Sequence, residues 1–318
     1  MSRDIGFVMN PIEAIVPHKD STLAMMLAAQ ARGWQVREIQ PHAMVLRGDT
    51  VWARSRVLRV RDDPADWFEV TGEQEVCLNE LDAILMRRDP PFDMDYVYAT
   101  YLLEQVEAAG TPVFNRPRGL RDANEKLFTA WFPQCCPDTL VAADRDALRQ
   151  FIADQGEAVI KPLDGMGGTG VFRLNATDPN INSALELLTQ GYRHPIMAQT
   201  YLPAISAGDK RILLIDGDPV EQCLARLPAA GESRANLAAG GTYRTQMLSA
   251  RDRWICDQVG PTLRAHGLVF VGLDVIGDHL TEINVTSPTC IREIARGSGL
   301  DAAARLLDAI ARRFAEGG

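Results

Sequence analysis

The sequence predicts an α/β chain that opens with a parallel sheet. Three observations predict it. Short apolar strands alternate with helical segments through residue 115. A glycine-rich loop then lies between two strand-like segments, and a strand pair bearing acidic residues follows near the carboxyl end. Alternation of the first kind is the mark of βαβ units.

Ile5 to Met9 reads as the first strand, stopped by Asn10-Pro11. Ser21 is placed to cap a helix running to about Arg32, with Leu23, Met26 and Leu27 on one face and Gly33 as the stop. Gln35 to Ile39 alternates as a second strand, and Met44 to Val60 reads as a hairpin around Gly48-Asp49. Leu81 to Met86 is a buried-type strand. Tyr96 to Ala109 is helical and stops at Gly110, and Thr111 to Asn115 is a strand. These elements make a first domain, 1–122.

A second unit, 123–200, starts within a helix predicted from Arg121 to Trp131 that carries Lys126. Strand 139–142, helix 144–154, strand 158–161, a helix near 181–190 and strand 196–203 follow. A third unit, 201–318, begins with strands Lys210 to Ile215 and Glu221 to Arg226 around the turn Asp216-Gly217. Residues 227–247 are rich in alanine and glycine and poor in large apolar residues. A stretch of that kind inside a compact chain is a functional lid or a disordered segment. Helix 250–266, strands 268–276 and 280–284, and a helix from about Leu300 complete the chain.

The 318 residues carry a net charge of -9, and the pI is about 5.1. That balance argues against a nucleic-acid binder. No apolar run reaches a membrane span, and the start lacks the apolar core of a signal peptide. The six cysteines form no CxxC, so reduced thiols and a cytoplasmic setting are expected. The five histidines show no ligand spacing.

"KPLDGMGGTGVF" (161–172) places Gly165, Gly167 and Gly170 as GxGxxG. A dinucleotide fingerprint needs a helix after the glycines. Val171 to Leu174 reads as a strand instead, and no Gly-Lys-Ser/Thr follows for a Walker loop. The glycines therefore sit at a hairpin tip, with Gly168 beside them and Lys161 at the base. Such a loop either closes over a phosphate chain through its backbone N–H groups or is simply a mobile turn.

In "VFVGLDVIGDHLTEINVTSP" (269–288), pairing Ile276 with Leu280 would set Asp274 opposite Glu282, with Asn284 on the same face. Facing carboxylates repel. A hard divalent cation relieves this, since Mg²⁺ favours oxygen ligands and phosphate partners. The alternative is a solvated acidic face on an edge hairpin, and a two-residue turn would separate the pair. Lys126 and Lys161 are candidate phosphate contacts. Arg211 and Arg226, on apolar strands, suit clamping a carboxylate or phosphoryl group.

"KPLDGMGGTGVF", "MAQTYLPA", "GDKRILLIDG", "CLARLP", "ESRANLAAGG", "VFVGLD" and "LTEINVTSPTCIREI" together resemble the bacterial glutathione synthetases, which are ATP-grasp ligases. "ILMRRDPPFD" and "LRDANEKLFTAWFP" extend the likeness into the amino-terminal part. The resemblance implies a pre-ATP-grasp domain followed by two ATP-grasp subdomains that clamp ATP. It implies that Lys126 and Lys161 bind phosphates beneath the loop of Gly165, Gly167 and Gly168. Gln199, Tyr201 and Leu202 would line adenine, and Asp209 would lie by the ribose. Asp274, Glu282 and Asn284 would hold magnesium, or manganese in its place. Arg211, Arg226 and Arg234 would serve the reacting carboxylate, Arg234 from a lid at 227–242. The implied substrates are γ-glutamylcysteine, glycine and ATP, and the implied assembly is a homotetramer. Asn10, Ala230 and Ala235, and the tail after Ile294, depart from the expected pattern. Another amino-acid or peptide ligase of the same superfamily, or a non-catalytic ATP-binding regulator, are the alternatives.

Overall fold

The computed structural model describes residues 3–228 and 242–316. Its first sheet contains β1 (Asp4–Val8), β2 (Gln35–Arg47), β3 (Thr50–Val60), β4 (Phe68–Cys77), β5 (Ala83–Met86) and β6 (Val113–Phe114), in the order β4-β3-β2-β1-β5-β6. The pairs β1–β2, β1–β5 and β5–β6 are parallel, as βαβ alternation requires. Helices α1 (Ser21–Ala31), α2 (Met94–Ala108) and α3 (Pro117–Asp122) belong to this part. Asp20, not Ser21, caps α1, accepting the Leu23 N–H at 2.6 Å.

The expected strand 35–39 and the hairpin after it form one structure. β2 runs through to Arg47 with an irregular register between Ile39 and Met44, where Pro41 has no N–H to donate. β4 was not expected. It is an edge strand with most residues exposed, so it lacks the alternation that marks half-buried strands.

The second sheet is antiparallel, in the order β7-β10-β8-β9. Its strands are β7 (Thr139–Ala142), β8 (Glu157–Pro162), β9 (Phe172–Asn175) and β10 (Ile196–Thr200), covered by α4 (Arg145–Gln155) and α5 (Ile181–Leu188). β8 and β9 pair antiparallel, so the glycines do sit at a hairpin tip. The third sheet holds β11 (Asp209–Ile215), β12 (Asp218–Pro219), β13 (Gln222–Leu227), β14 (Thr242–Met247), β15 (Phe270–Ile276) and β16 (His279–Asn284). Its main path is β14-β13-β11-β15-β16. Helices α6 (Ala250–Ala265), α7 (Ile291–Ser298) and α8 (Ala302–Glu316) follow its strands. Residues 242–247, expected within a structureless stretch, pair with β13.

The predicted helix from Arg121 to Trp131 is broken. α3 stops at Asp122, and the Asn124 side chain accepts the N–H groups of Lys126 and Leu127 at 3.1 and 2.9 Å. Asparagine competes in this way with helical bonding. Lys126 consequently stands at a turn before a short 3₁₀ segment, Leu127–Trp131.

The cores explain how the layers hold together. Tyr96 and Phe128 pack in one cluster with Val271 and Ile283, while Ile5 and Phe7 share another with Leu213 and Leu306. The first and third sheets are thus fused through common apolar cores. The second sheet packs around Leu148, Ile160 and Leu185. Asn115 completes the fusion at the polar level. Its amide donates to the carbonyls of Phe270 and Val285 at 2.8 and 2.7 Å, and its oxygen accepts the Phe270 N–H at 2.8 Å.

Asn115→Ala would leave three buried backbone groups without partners. An unfolding midpoint in urea should register a loss of about 3 kcal/mol. A loss below about 0.5 kcal/mol would show that these bonds are not what joins the layers.

Candidate active site

The β15–β16 hairpin turns through Gly277-Asp278, with Ile276 opposite His279 and Val275 opposite Leu280. That two-residue turn corrects the expected pairing of Ile276 with Leu280. A bulge between Asp274 and Val275 then restores Asp274 opposite Glu282. Thr281 is the extra residue. Its hydroxyl donates to the Asp274 carbonyl, and its own carbonyl accepts from Lys161 Nζ, each at 3.1 Å. The irregularity thus frees a backbone oxygen for a lysine and sets the two carboxylates across from each other.

Asn284 faces Gly272 and donates through its amide nitrogen to the Gly272 carbonyl at 3.2 Å. A Cβ at Gly272 would lie 2.9 Å from Arg211 Cδ, so the glycine makes room for that side chain. Arg211 lies opposite Asp274 on β11 and binds it with Nε at 2.6 Å and Nη2 at 3.0 Å. From β13, Arg226 Nη2 reaches Asp209 at 2.5 Å and Asp274 at 3.0 Å. All four charged side chains are nearly sealed from solvent.

These contacts set the protonation states. Burial works against charge on Asp274, yet Arg211 and Arg226 outweigh it and hold the carboxyl well below its usual range. Burial pushes Asp209 up to about 6, against the pull of Arg226 and with Asp274 adding repulsion. Burial lowers Lys161, and the charge of Glu282 opposes that shift. Lys126 Nζ donates to the Gly165 carbonyl and pairs with Glu282 at 3.0 Å. Burial raises the Cys290 thiol, which keeps it protonated and suits a structural role.

Two cavities meet at this constellation. The first, about 150 Å³, is lined by Lys126, Lys161, Gln199, Tyr201, Leu202 and Asp209. Beside it, the end of β10 is closed by ordinary backbone bonding, since the N–H of Thr200 goes to Asp138 and that of Tyr201 to Glu157. Arg173 stacks its guanidinium 3.8 Å from the Tyr201 ring centre. The second cavity, about 540 Å³, is lined by Asn10, Arg87, Arg211, Arg226, Asn284 and Cys290, among others. Met166, Gly167, Asp274 and Glu282 line both. Gly167, Gly168 and Gly170 adopt φ of +65°, +80° and +71°, conformations that glycine reaches without strain. A Cβ on Gly165 would come within 2.8 Å of Pro162 Cγ.

The donor set suits a hard cation. Glu282 and Asn284 offer oxygens on one face, and Asp274 keeps lone-pair capacity beside its guanidinium bonds. Among the described residues, Asp209 Oδ1 and Arg226 Nε are buried without partners, an arrangement that expects a polar ligand. Among the described residues no three His, Cys, Asp or Glu side chains converge as a metal cluster. Arg234, Ala230 and Ala235 lie outside the described residues, as does most of the expected lid.

Two residues escaped the sequence reading. Arg87 is buried at the carboxyl end of β5, where it donates to Thr22 Oγ1 at 3.1 Å and to the Pro288 carbonyl at 3.0 Å. The signal was an arginine directly after a wholly buried strand, beside the point where strand order reverses between β1 and β5. Glu125 is the second, and its only signal was an acid adjacent to Lys126.

The raised Asp209 gives a pH test with a fixed sign. Its folded pKa, about 6, exceeds the reference 3.8, so ionisation costs more in the folded chain. Between those pH values, the stability of wild type relative to Asp209→Asn should fall as pH rises, then level off. Thermal unfolding of both proteins across this window measures it, and the opposite slope would contradict the assignment.

Two family models match the chain. The model "Prokaryotic glutathione synthetase, N-terminal domain" covers residues 4–121, and "Prokaryotic glutathione synthetase, ATP-grasp domain" covers 125–299. Glutathione synthetase of Pseudomonas putida is 58% identical over 314 residues, 99% of each chain. That of Pseudomonas syringae pv. tomato is 56% identical over 314 residues, 99% of this chain and 98% of the relative. Among solved structures, a D-cycloserine synthetase superposes with a TM-score of 0.68 at 17% identity, covering 98% of this chain and 99% of the other. That likeness, at low identity, speaks to the ATP-grasp fold alone. The two models together span the chain from the first strand past the β15–β16 hairpin, and with these relatives they make it a member of the prokaryotic glutathione synthetase family.

Proposed function

We propose that this chain joins γ-glutamylcysteine to glycine at the expense of ATP, forming glutathione, ADP and phosphate through an acyl phosphate. The observation that carries the reading is the junction of the two cavities at Asp274, Glu282 and the glycine loop. A phosphoryl group passing from a nucleotide in one to a carboxylate in the other would cross at that point.

The roles follow from chemistry. Lys126 and Lys161 meet the phosphates as point charges beneath the loop of Gly165, Gly167 and Gly168. Gln199, Tyr201 and Leu202 line the base, and Asp209 accepts from the ribose. Asp274, Glu282 and Asn284 hold magnesium, or manganese in its place. When bound, the ion supplies charge neutralisation for phosphoryl oxygens. Arg211 and Arg226 hold the dipeptide's reacting carboxylate and the charge that develops on its carbonyl when the amine attacks. A cytoplasmic homotetramer completes this reading. Among the described residues, no helix is long and apolar enough to cross a membrane.

ADP release should require γ-glutamylcysteine, glycine and magnesium together for sustained turnover. Glu282→Ala should lower that rate on the order of 100- to 1,000-fold, with the circular dichroism of the fold unchanged. Full activity in the variant would remove the metal assignment.

A further inference from the structure

Three consecutive side chains each reach a different part of the site. Asn124 donates its amide to the Leu163 carbonyl at 3.2 Å, at the base of the glycine hairpin. Lys126 spans from the Gly165 carbonyl to Glu282. Glu125, between them, turns to the strand that carries Glu282 and Asn284. Its Oε1 accepts the Val285 N–H at 2.8 Å, the Thr286 N–H at 2.9 Å and the Thr286 hydroxyl at 2.8 Å. Its backbone carbonyl accepts the Ile283 N–H at 2.8 Å.

The placement is more specific than ordinary loop bonding. These bonds grip the chain at 283, 285 and 286, on both sides of Asn284. β16 ends at Asn284, and among the described residues no strand pairs with Val285 and Thr286. Asn115 holds the Val285 carbonyl at 2.7 Å, and Glu125 Oε1 takes the N–H groups of Val285 and Thr286, so the carboxylate sets the donor side of the strand's exit, beside Glu282 and Asn284. Ligand oxygens must be held to about half an ångström to bind an ion well.

We propose that Glu125 is a positioning residue for the cation site, acting by the reach of its carboxylate oxygen to the backbone at 285–286. The inference rests on the metal reading above. Groups that orient ligands in this way typically contribute about 10- to 100-fold in metal affinity.

Two conservative variants separate reach from charge. Glu125→Asp keeps the charge but withdraws the acceptor by one methylene. Glu125→Gln keeps the reach and an oxygen acceptor but loses the charge. Mn²⁺ is titrated against each purified full-length variant by electron paramagnetic resonance, with a saturating non-hydrolysable ATP analogue. The expected result is a Kd for Mn²⁺ raised about 10- to 100-fold in Glu125→Asp and within about threefold of wild type in Glu125→Gln. Nucleotide affinity without metal should be unchanged in both. A merely structural role would lower the melting temperature and leave Mn²⁺ affinity alone, which would overturn the proposal. Equal losses in both variants, or loss only in Glu125→Gln, would overturn it too. Should Glu125→Asp not fold, Thr286→Ala removes one of the three donors and should weaken Mn²⁺ about two- to fivefold, on the scale of one neutral hydrogen bond. No change there would overturn the proposal. Glu282→Ala serves as the control: wild-type Mn²⁺ affinity in that variant sinks the metal reading itself, whatever Glu125 does.

Discussion

The buried ladder Arg226–Asp209 and Arg226–Asp274–Arg211 is the constraint on which the site depends. Two arginines and two aspartates lie on three adjacent strands, nearly out of reach of water. Charges taken that far from solvent are costly unless each finds partners. Here the antiparallel register supplies them, with Arg211 across from Asp274 and Arg226 across from Asp209. The pairing is still incomplete. Among the described residues Arg226 Nε and Asp209 Oδ1 have no partner, and Asp209 holds its proton up to about pH 6. A site in that condition is poised for a charged, oxygen-rich ligand.

The bulge in β15–β16 is the second half of the same design. With a regular two-residue hairpin, Glu282 would move away from Asp274 and onto the opposite face. Inserting Thr281 brings the acids together, and it also releases the carbonyl that holds Lys161. Lysine, acids and glycine loop are thus placed by one local irregularity. Fusion of the first and third sheets through shared cores brings Arg87, from the end of β5, into the lining of the second cavity with Arg211 and the strand pair.

Much of this was legible in the residues. Asp274, Glu282 and Asn284 share a face because strand geometry alternates, and the glycine hairpin was distinguishable from a dinucleotide loop by the strand after Gly170. The elements that escaped did so for physical reasons. β4 is an exposed edge and shows no period. The break at Asn124 comes from a side chain outcompeting the helix, which helical periodicity does not register. The expected Ile276–Leu280 match failed because the turn holds two residues, and the bulge at Thr281 that restores Asp274 opposite Glu282 is invisible to any rule that assumes regular pairing. Arg87 and Glu125 act through contacts more than 150 residues away in the chain, with Pro288 for the first and Val285 and Thr286 for the second, and nothing local announces such partners.

The central claim is that these grouped charges make a peptide carboxylate reactive by transferring a phosphoryl group to it. Following oxygen from that carboxylate tests it most directly. γ-Glutamylcysteine labelled with ¹⁸O in the cysteinyl carboxylate is turned over with ATP and glycine, and the phosphate is examined by mass spectrometry. The account predicts one labelled oxygen in phosphate for each glutathione formed. Phosphate free of label, with glutathione still produced, would contradict it.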